Sequence, residues 1–165
     1  LFRLVGSEMC IRDSSCSPSR CSIITGRYPH NTGAPELHVR LPQEQIRFPE
    51  LLREAGYHTV LSGKNHMFGN KDRAFDQITG GGGPGKEEDW VGHIKDRPRD
   101  QPFFFWFAST DAHRGWGISE EAPQYEPKDV MIPPYLVDTP ITREDLTGYY
   151  HEVSRFDYYL SLIHI

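Results

Sequence analysis

Residues 16–27 read CSPSRCSIITGR and predict a short helix over residues 18–25. Proline suits the first position of a helix, and Ser17 just before it can cap the free backbone N–H groups. Gly26 predicts the end of the helix, because glycine readily takes the left-handed conformation that closes many helices. This interpretation leaves Cys16 at the entrance to the first turn.

The entrance of that helix suits an anion. A side chain there faces unpaired backbone N–H groups, which together with the helix dipole favour negative charge. Arg20, one turn further on, can add a guanidinium that offsets anionic charge. The alternative is that Cys16 is only a small buried side chain.

Helices and apolar strands alternate through the rest of the chain, which predicts an α/β fold with a sheet covered on both faces. Residues 103–109 are a continuous apolar run and predict a buried strand. The glycine-rich residues 80–85 predict a flexible connection rather than a phosphate-binding loop, because no Lys-Ser or Lys-Thr pair follows them. Residues 115–140 are rich in proline and predict an extended surface loop. Further helices are predicted at residues 48–55, 90–96 and 142–159, the last capped by Thr142, and a further strand at residues 57–61.

The composition excludes several classes of protein. The chain is 37% hydrophobic and 25% charged, which is typical of a globular domain. Its net charge is -5 and no basic stripe is visible, so nucleic acid is not an expected partner. No apolar run approaches the roughly 18 residues of a membrane-spanning helix. Three cysteines are too few for a disulfide framework, and we expect Cys16 and Cys21 to stay unpaired.

The sequences of both ends of the chain indicate that they are translated from a sequencing adapter and are not native protein. Residues 4–14 read LVGSEMCIRDS, and their codons can contain the oligonucleotide GATGTGTATAAGAGACAG. Residues 160–165 read LSLIHI, which the reverse complement of that oligonucleotide can encode. The alternative is an ordinary N-terminal arm and an apolar helix end. We expect residues 1–14 and 160–165 to be adapter-derived and residues 15–159 to be native.

The run from Cys16 to Arg20, followed by Thr25 and Gly26, resembles the signature of the sulfatase family, Cys-x-Pro-Ser-Arg and then Thr-Gly. The resemblance implies an alkaline-phosphatase-like three-layer α/β/α sandwich, with residues 15–159 forming part of its N-terminal catalytic domain. It also implies that a maturation enzyme oxidises Cys16 to formylglycine. One hydroxyl of the hydrated aldehyde would attack sulfur, and Arg20 would hold this diol.

Residues 62–67 resemble the Gly-Lys-x-His element of the same family, with Asn65 where tryptophan is usual. By this resemblance Lys64 would bind a sulfate oxygen. His66 would hydrogen-bond the hydroxyl of the nucleophile and help to remove its proton. In an extended segment, residues i and i+2 share a face, so these two side chains can converge. The alternative is a solvated lysine and a turn histidine.

Residues 102–114 resemble the family's strand that ends in Pro-His, with Ala112 where proline is usual. His113 follows the carboxyl end of the strand, where open α/β sheets place their ligands. The resemblance implies that His113 binds sulfate and protonates the leaving group, and that Arg114 contacts substrate. The alternative is that His113 is a structural loop residue.

The other histidines lack a metal-ligand spacing such as HExxH, and only two of them, His30 and His38, are candidates for a place near the cleft. The remaining ones are His58, His93 and His151.

Sulfatases hold a divalent metal, usually Ca²⁺, through oxygen ligands. The resemblance places the acidic ligands upstream of Cys16 and downstream of Tyr159, so the formylglycine at position 16 is the one ligand expected in residues 15–159. We therefore expect weak metal binding and no sulfatase activity from this chain alone. We also expect poor solubility, because a central strand without its neighbours exposes its edges.

The predicted function of the longer parent is hydrolysis of a sulfuric ester or an N-sulfo group on a sulfated glycan, with export from the cytoplasm. Residues 14–20, 111–114 and 125–130 resemble the heparan N-sulfatase branch of the family. One alternative is a formylglycine-dependent phosphonate or phosphodiester hydrolase. Another is a non-catalytic protein that binds sulfated glycans with Cys16 unmodified.

Overall fold

The computed structural model describes residues 15–69 and 71–165 of the 165-residue chain. The predicted adapter residues 1–14 lie outside this part. In the described part, the helices are α1 (Cys16–Thr25), α2 (Phe48–Glu54), α3 (Trp90–Asp96) and α4 (Pro140–His164), with a 3-10 turn at Pro29–Asn31, and the strands are β1 (His58–Gly63), β2 (Gln77–Thr79) and β3 (Phe103–Ala108).

The chain divides into two compact units. Of the described residues, the first comprises residues 15–61, 65–69, 71–79 and 97–106, and the second comprises residues 62–64, 80–96 and 107–165.

The three strands form one sheet in the order β2-β1-β3. The N–H of His58 donates to the Pro102 carbonyl at 2.8 Å, and the N–H of Lys64 donates to the Ala108 carbonyl at 2.7 Å. Because the residue numbers of the paired positions increase together on both strands, β1 and β3 are parallel. Parallel strands separated by helices confirm the predicted α/β class.

The core of the first unit lies where α1 packs beside the central strand. Cys21 and Ile24 of α1 and Leu61 of β1 are fully buried in one apolar cluster. Phe48 of α2 meets the edge of Phe104 with ring centroids 5.1 Å apart. Cys21 and Ile24 therefore anchor the helix that carries Cys16 in this core.

The second unit is built on α3 and α4. Trp90 stacks on Phe107, with ring centroids 5.2 Å apart, and meets the edge of Phe156 at 6.0 Å. Arg155 of α4 forms a buried ion pair with Asp111, and the two side chains are 1% and 2% exposed, respectively.

The loop of residues 115–140 has no helix or strand before Pro140, as predicted, but α4 pins it in place. His151 accepts a hydrogen bond from the Ser119 N–H at 2.9 Å on Nε2, and its Nδ1 lies 2.9 Å from the Pro123 carbonyl. Both ring nitrogens of His151 therefore contact backbone groups of the loop.

The predicted caps of two helices are wrong. The helix α1 begins at Cys16 and not at position 18, because the Ser15 carbonyl already accepts the Ser19 N–H at 3.0 Å. The hydroxyl of Ser17 caps nothing and instead accepts from the His38 N–H at 2.9 Å.

The cap of α4 is Thr139, whose hydroxyl accepts from the Thr142 N–H at 3.1 Å. Proline at the first helical position lets the helix start two residues before Thr142. At its other end α4 continues through residues 160–164. The prediction that residues 160–165 are adapter-derived stays a prediction.

The strand β3 is less buried than predicted. Phe103 is 43% exposed, residues 104–107 are half-buried, and only Ala108 is buried. The reason is that β3 lies at the edge of the described sheet, whereas the central strand β1 is buried from Thr59 to Gly63. Within the described part of the chain, no helix is both long and apolar enough to cross a membrane.

Candidate active site

Cys16 is the first residue of α1 and is half-buried. Backbone N–H groups in the first turn of a helix lack intrahelical partners and suit a negative charge. Cys16 and Cys21 are both free thiols, as predicted. Cys21 faces the core, so Cys16 is the cysteine of α1 that is placed for chemistry.

His66 contacts this cysteine. Its Nδ1 lies 3.1 Å from the Cys16 Sγ. The contact depends on a turn after β1, because His66 takes a left-handed φ of 55°. The prediction that Lys64 and His66 lie in an extended segment is therefore wrong, because the backbone is not extended at His66. That their side chains converge stays a prediction.

Asn65, which stands where the family usually has tryptophan, builds that turn. Its side-chain oxygen accepts from the Met67 N–H at 3.2 Å and the Phe68 N–H at 3.3 Å. Its amide donates to the Phe68 and Gly69 carbonyls, both at 3.0 Å. A side chain that satisfies its own backbone in this way is typical of asparagine in turns.

His38 forms the second contact of His66. The Nδ1 of His38 lies 2.7 Å from the His66 Nε2, and the two rings are tilted by 45°. The sequence singled out His38 only as a candidate near the cleft and gave it no role. No spacing pattern signals this contact, because the two histidines are 28 residues apart.

Arg20 lies one turn along α1 from Cys16. Burial lowers the pKa of its guanidinium, and the neighbouring Cys16 acts in the opposite direction. Arginine starts so far above neutral pH that Arg20 keeps its positive charge. Its role toward a formylglycine diol stays a prediction.

Lys64 belongs to the second unit and follows the last residue of β1. Gly63 before it has a φ of 101°, and a Cβ there would overlap the Ala108 carbonyl oxygen. Glycine is therefore required before this lysine, which gives the Gly-Lys pair a structural reason.

His113 and Arg114 also belong to the second unit. His113 lies exposed in a turn after β3, where its N–H donates to the Thr110 carbonyl at 2.9 Å. Arg114 pairs with Asp145 through two hydrogen bonds of 2.9 and 2.7 Å and lies 4.5 Å over the Trp116 ring. The approach of Lys64, His113 and Arg114 to a substrate at Cys16 stays a prediction.

A polar network joins the glycine-rich loop to the end of β3. The hydroxyl of Ser109 donates to the carboxylate of the buried Glu87, lies 3.1 Å from the Gly85 carbonyl oxygen, and accepts from the Asp111 N–H at 2.7 Å. Burial raises the pKa of Glu87, and the hydrogen bond from Ser109 acts against this rise. The loop that was predicted to be a flexible connection is thus tied down at Gly85.

No group of three or more His, Cys, Asp or Glu side chains in residues 15–69 and 71–165 is placed to hold a metal ion. Cys16, His66 and His38 are hydrogen-bonded in a line and do not converge on one point. That the calcium ligands of a sulfatase lie elsewhere in the parent stays a prediction.

The structure thus shows an α/β protein with parallel strands β1 and β3 and a cysteine-histidine contact at the start of a helix. The family model described as Sulfatase matches residues 7–91, more than half of the chain. The chain belongs to the sulfatase family, which confirms the family predicted from the run at Cys16.

Two curated relatives show how much of such a protein the chain represents. It is 31% identical to human "N-sulphoglucosamine sulphohydrolase" over 91% of its length and 37% of the relative's. It is 27% identical to an "Ulvan-active sulfatase" of Formosa agariphila over 86% of its length and 31% of the relative's. The chain thus spans about a third of these relatives.

Solved structures support the alkaline-phosphatase-like fold. The structure of BT4656 in complex with its substrate D-glucosamine-2-N,6-O-disulfate matches 62% of this chain and 26% of that one, with a TM-score of 0.56 at 23% identity. The structure of Ps i-CgsB in complex with k-i-k-neocarrahexaose matches 89% of this chain and 43% of that one, with a TM-score of 0.63 at 19% identity. The predicted fold class is confirmed.

Proposed function

We propose that the protein to which this chain belongs hydrolyses sulfate esters or N-sulfo groups on sulfated glycans, using a formylglycine made from Cys16. The observation that carries the proposal is the contact of 3.1 Å between the Cys16 Sγ and the His66 Nδ1 at the start of α1. It pairs the position of the nucleophile with a base inside an anion-favouring helix turn.

The chemistry at position 16 follows from replacing the thiol with a hydrated aldehyde. Two hydroxyl groups then stand on the Cβ of residue 16. One hydroxyl gives up its proton as its oxygen attacks the sulfur, the bond from sulfur to the sugar oxygen or nitrogen breaks, and the leaving group takes up one proton, so that the step releases no net proton. The sulfate is now bound to residue 16 through an ester.

His66 acts in the second step. Its Nδ1 accepts the proton of the remaining hydroxyl, whose oxygen forms the carbonyl as the bond to sulfate breaks. Water then adds to the aldehyde and restores the diol. This step requires that the Nδ1 of His66 be unprotonated and face position 16.

The other predicted residues keep their predicted roles in this proposal. Arg20 holds the diol, Lys64 binds a sulfate oxygen, and His113 protonates the leaving group. Arg114 has a weaker claim as a substrate contact, because its guanidinium already pairs with Asp145.

The substrate class is supported by relatives. The names "N-sulphoglucosamine sulphohydrolase" and "N-acetylglucosamine-6-O-sulfatase" both describe enzymes that act on sulfated glucosamine. We propose a sulfated amino sugar for this protein as well. In the longer parent, bound Ca²⁺ would offset the charge of the sulfate, with the formylglycine as one of its oxygen ligands. We also propose that the longer parent is exported from the cytoplasm.

Mass spectrometry of the peptide that contains Cys16 tests the proposal. The chain is expressed with and without a formylglycine-generating enzyme, and Cys21 in the same peptide serves as the internal control. We expect Cys16 to lose its sulfur and to become reactive toward hydrazides, while Cys21 stays a thiol. An unmodified Cys16 would instead favour a protein that only binds sulfated glycans.

A second measurement separates the reaction classes. The longer parent is compared on matched sulfate and phosphodiester substrates, with Cys16→Ala as the inactive control. Faster hydrolysis of the phosphodiester would replace the proposal with a phosphodiester hydrolase.

A further inference from the structure

Three side chains of the first unit form a line of two contacts. The Cys16 Sγ lies 3.1 Å from the His66 Nδ1, and the His66 Nε2 lies 2.7 Å from the His38 Nδ1. Both ring nitrogens of His66 are therefore engaged, one by the candidate nucleophile and the other by a second histidine.

The two contacts depend on each other, because a neutral His66 ring has only one N–H proton to share between them. A neutral imidazole carries one N–H donor and one acceptor nitrogen. If the His38 Nδ1 accepts, then His66 carries its proton on Nε2 and turns a lone pair on Nδ1 toward Cys16. If the His38 Nδ1 donates, then His66 carries its proton on Nδ1 and has no lone pair for position 16.

The contact with Cys16 favours the first arrangement. A thiol sulfur is a weak acceptor, whereas imidazole nitrogen is a good one, so the S–H donates to Nδ1. We infer that His38 is a positioning residue that holds His66 in its Nε2–H tautomer, so that Nδ1 accepts the proton from position 16. This inference rests on the proposed function for its catalytic consequence, but the tautomer itself does not.

The backbone gives His38 a fixed place, although its side chain is exposed. Its N–H donates to the hydroxyl of the fully buried Ser17 at 2.9 Å, and its φ is 66°. Ser17 is the neighbour of Cys16 in α1. The contacts therefore close a ring from Cys16 through His66 and His38 back to α1, which sets the direction of both imidazoles.

Two substitutions at position 38 separate the acceptor from the rest of the side chain. His38→Asn keeps an acceptor, because the asparagine oxygen takes the place of Nδ1. His38→Gly removes it. Asparagine and glycine both tolerate a positive φ, so the pair is matched for backbone strain. His30→Asn, at an exposed histidine stacked on Tyr28, is the control for a distant change.

Nitrogen NMR of the ¹⁵N-histidine-labelled chain reads the tautomer directly. The spectra are taken at a pH at which the imidazoles are neutral, and His66→Gln assigns the His66 signals. We expect His66 to carry its proton on Nε2 in the wild type, in His38→Asn and in His30→Asn, and to show mixed tautomers in His38→Gly. A proton on Nδ1 in the wild type, or an unchanged tautomer in His38→Gly, would overturn the inference.

Kinetics of the longer parent measure the consequence. We expect His38→Gly to lower kcat by about a hundredfold with little change in KM, and His38→Asn to restore most of it. An equal loss in both variants would contradict a role through the acceptor. If the parent is no sulfatase, the kinetic experiment fails while the NMR result stands, so the two failures are distinguishable.

Discussion

His66 reaches Cys16 across 50 positions of the chain, and the 3.1 Å contact is made by Nδ1, the ring nitrogen nearer to the backbone. The use of Nδ1 leaves Nε2 available for His38, whose Nδ1 lies 2.7 Å from it. The left-handed turn at His66 and the asparagine before it make this orientation possible. The base of the candidate site is thus set by a local turn and not by a strand.

The two cysteines of α1 should differ in reactivity. Cys21 is fully buried, and burial raises its pKa to about 11 against the opposing charge of Arg47. In a Cys10→Ser background near pH 8, we expect iodoacetamide to modify Cys16 and to leave Cys21 as a thiol, because the thiolate is the reactive form. Peptide mapping with and without urea measures this. Equal labelling of both cysteines in the folded chain would contradict the burial of Cys21.

Two ion pairs of the second unit should differ in strength. Asp111 and Arg155 are nearly fully buried, so Asp111→Ala removes the closer of the two carboxylate partners of a buried guanidinium and leaves only Glu152, at 3.5 Å. This change should lower the free energy of unfolding by about 3 kcal/mol. Asp145→Ala removes the partner of the exposed Arg114 and should leave the unfolding midpoint almost unchanged. Urea titration followed by fluorescence compares the two. Similar shifts in both variants would show that burial does not govern these pairs.

Gly63 should resist substitution. Alanine there meets the Ala108 carbonyl oxygen and must adopt a φ of 101°, so Gly63→Ala should destabilise the chain by at least 2 kcal/mol. Gly92→Ala is the matched control, because its Cβ meets nothing within 4 Å on the helix α3. The control should stabilise by about 0.5 to 1 kcal/mol, since alanine is the better helix former. Thermal unfolding of both variants tests the contrast, and a neutral Gly63→Ala would refute it.

Asp76 should make the stability of the first unit depend on acid. It accepts from the Thr59 N–H at 2.9 Å and from Arg53 at 2.6 Å. Burial acts to raise the pKa of Asp76, but these hydrogen bonds outweigh burial and hold the pKa below its usual range. A lowered carboxyl pKa gives stability that is present above the unfolded value of about 3.9 and is lost as the pH falls through the folded value.

Asp76→Asn removes this titration. We expect it to cost roughly 1 kcal/mol at neutral pH, and we expect the difference from the wild type to disappear in acid below the folded pKa. Urea titrations across the pH range measure the difference. Asp138→Asn, at the exposed pair with Arg143, is the control and should show a smaller effect. A difference that persists in strong acid would mean that Asp76 acts through packing.

The sequence by itself determined the features that are local to one element. The run from Cys16 to Arg20 identified the family and the helix that carries the nucleophile position. The alternation of helical and apolar segments predicted the α/β class, and most element bounds were right within two residues. The strand predicted at residues 57–61 corresponds to β1, which ends two residues later at Gly63. Backbone preferences and side-chain periodicity act over a few residues, so a linear pattern is enough to show them.

Tertiary structure alone decided which distant groups meet. The role of His38 depends on its contact with His66 28 residues away, and the orientation of His66 depends on the turn that Asn65 builds. The partial exposure of β3 depends on its edge position in the sheet, and the burial of Asp111 depends on Arg155 of α4. These contacts join elements that pack together only in the folded chain, and for that reason no periodicity in the sequence records them.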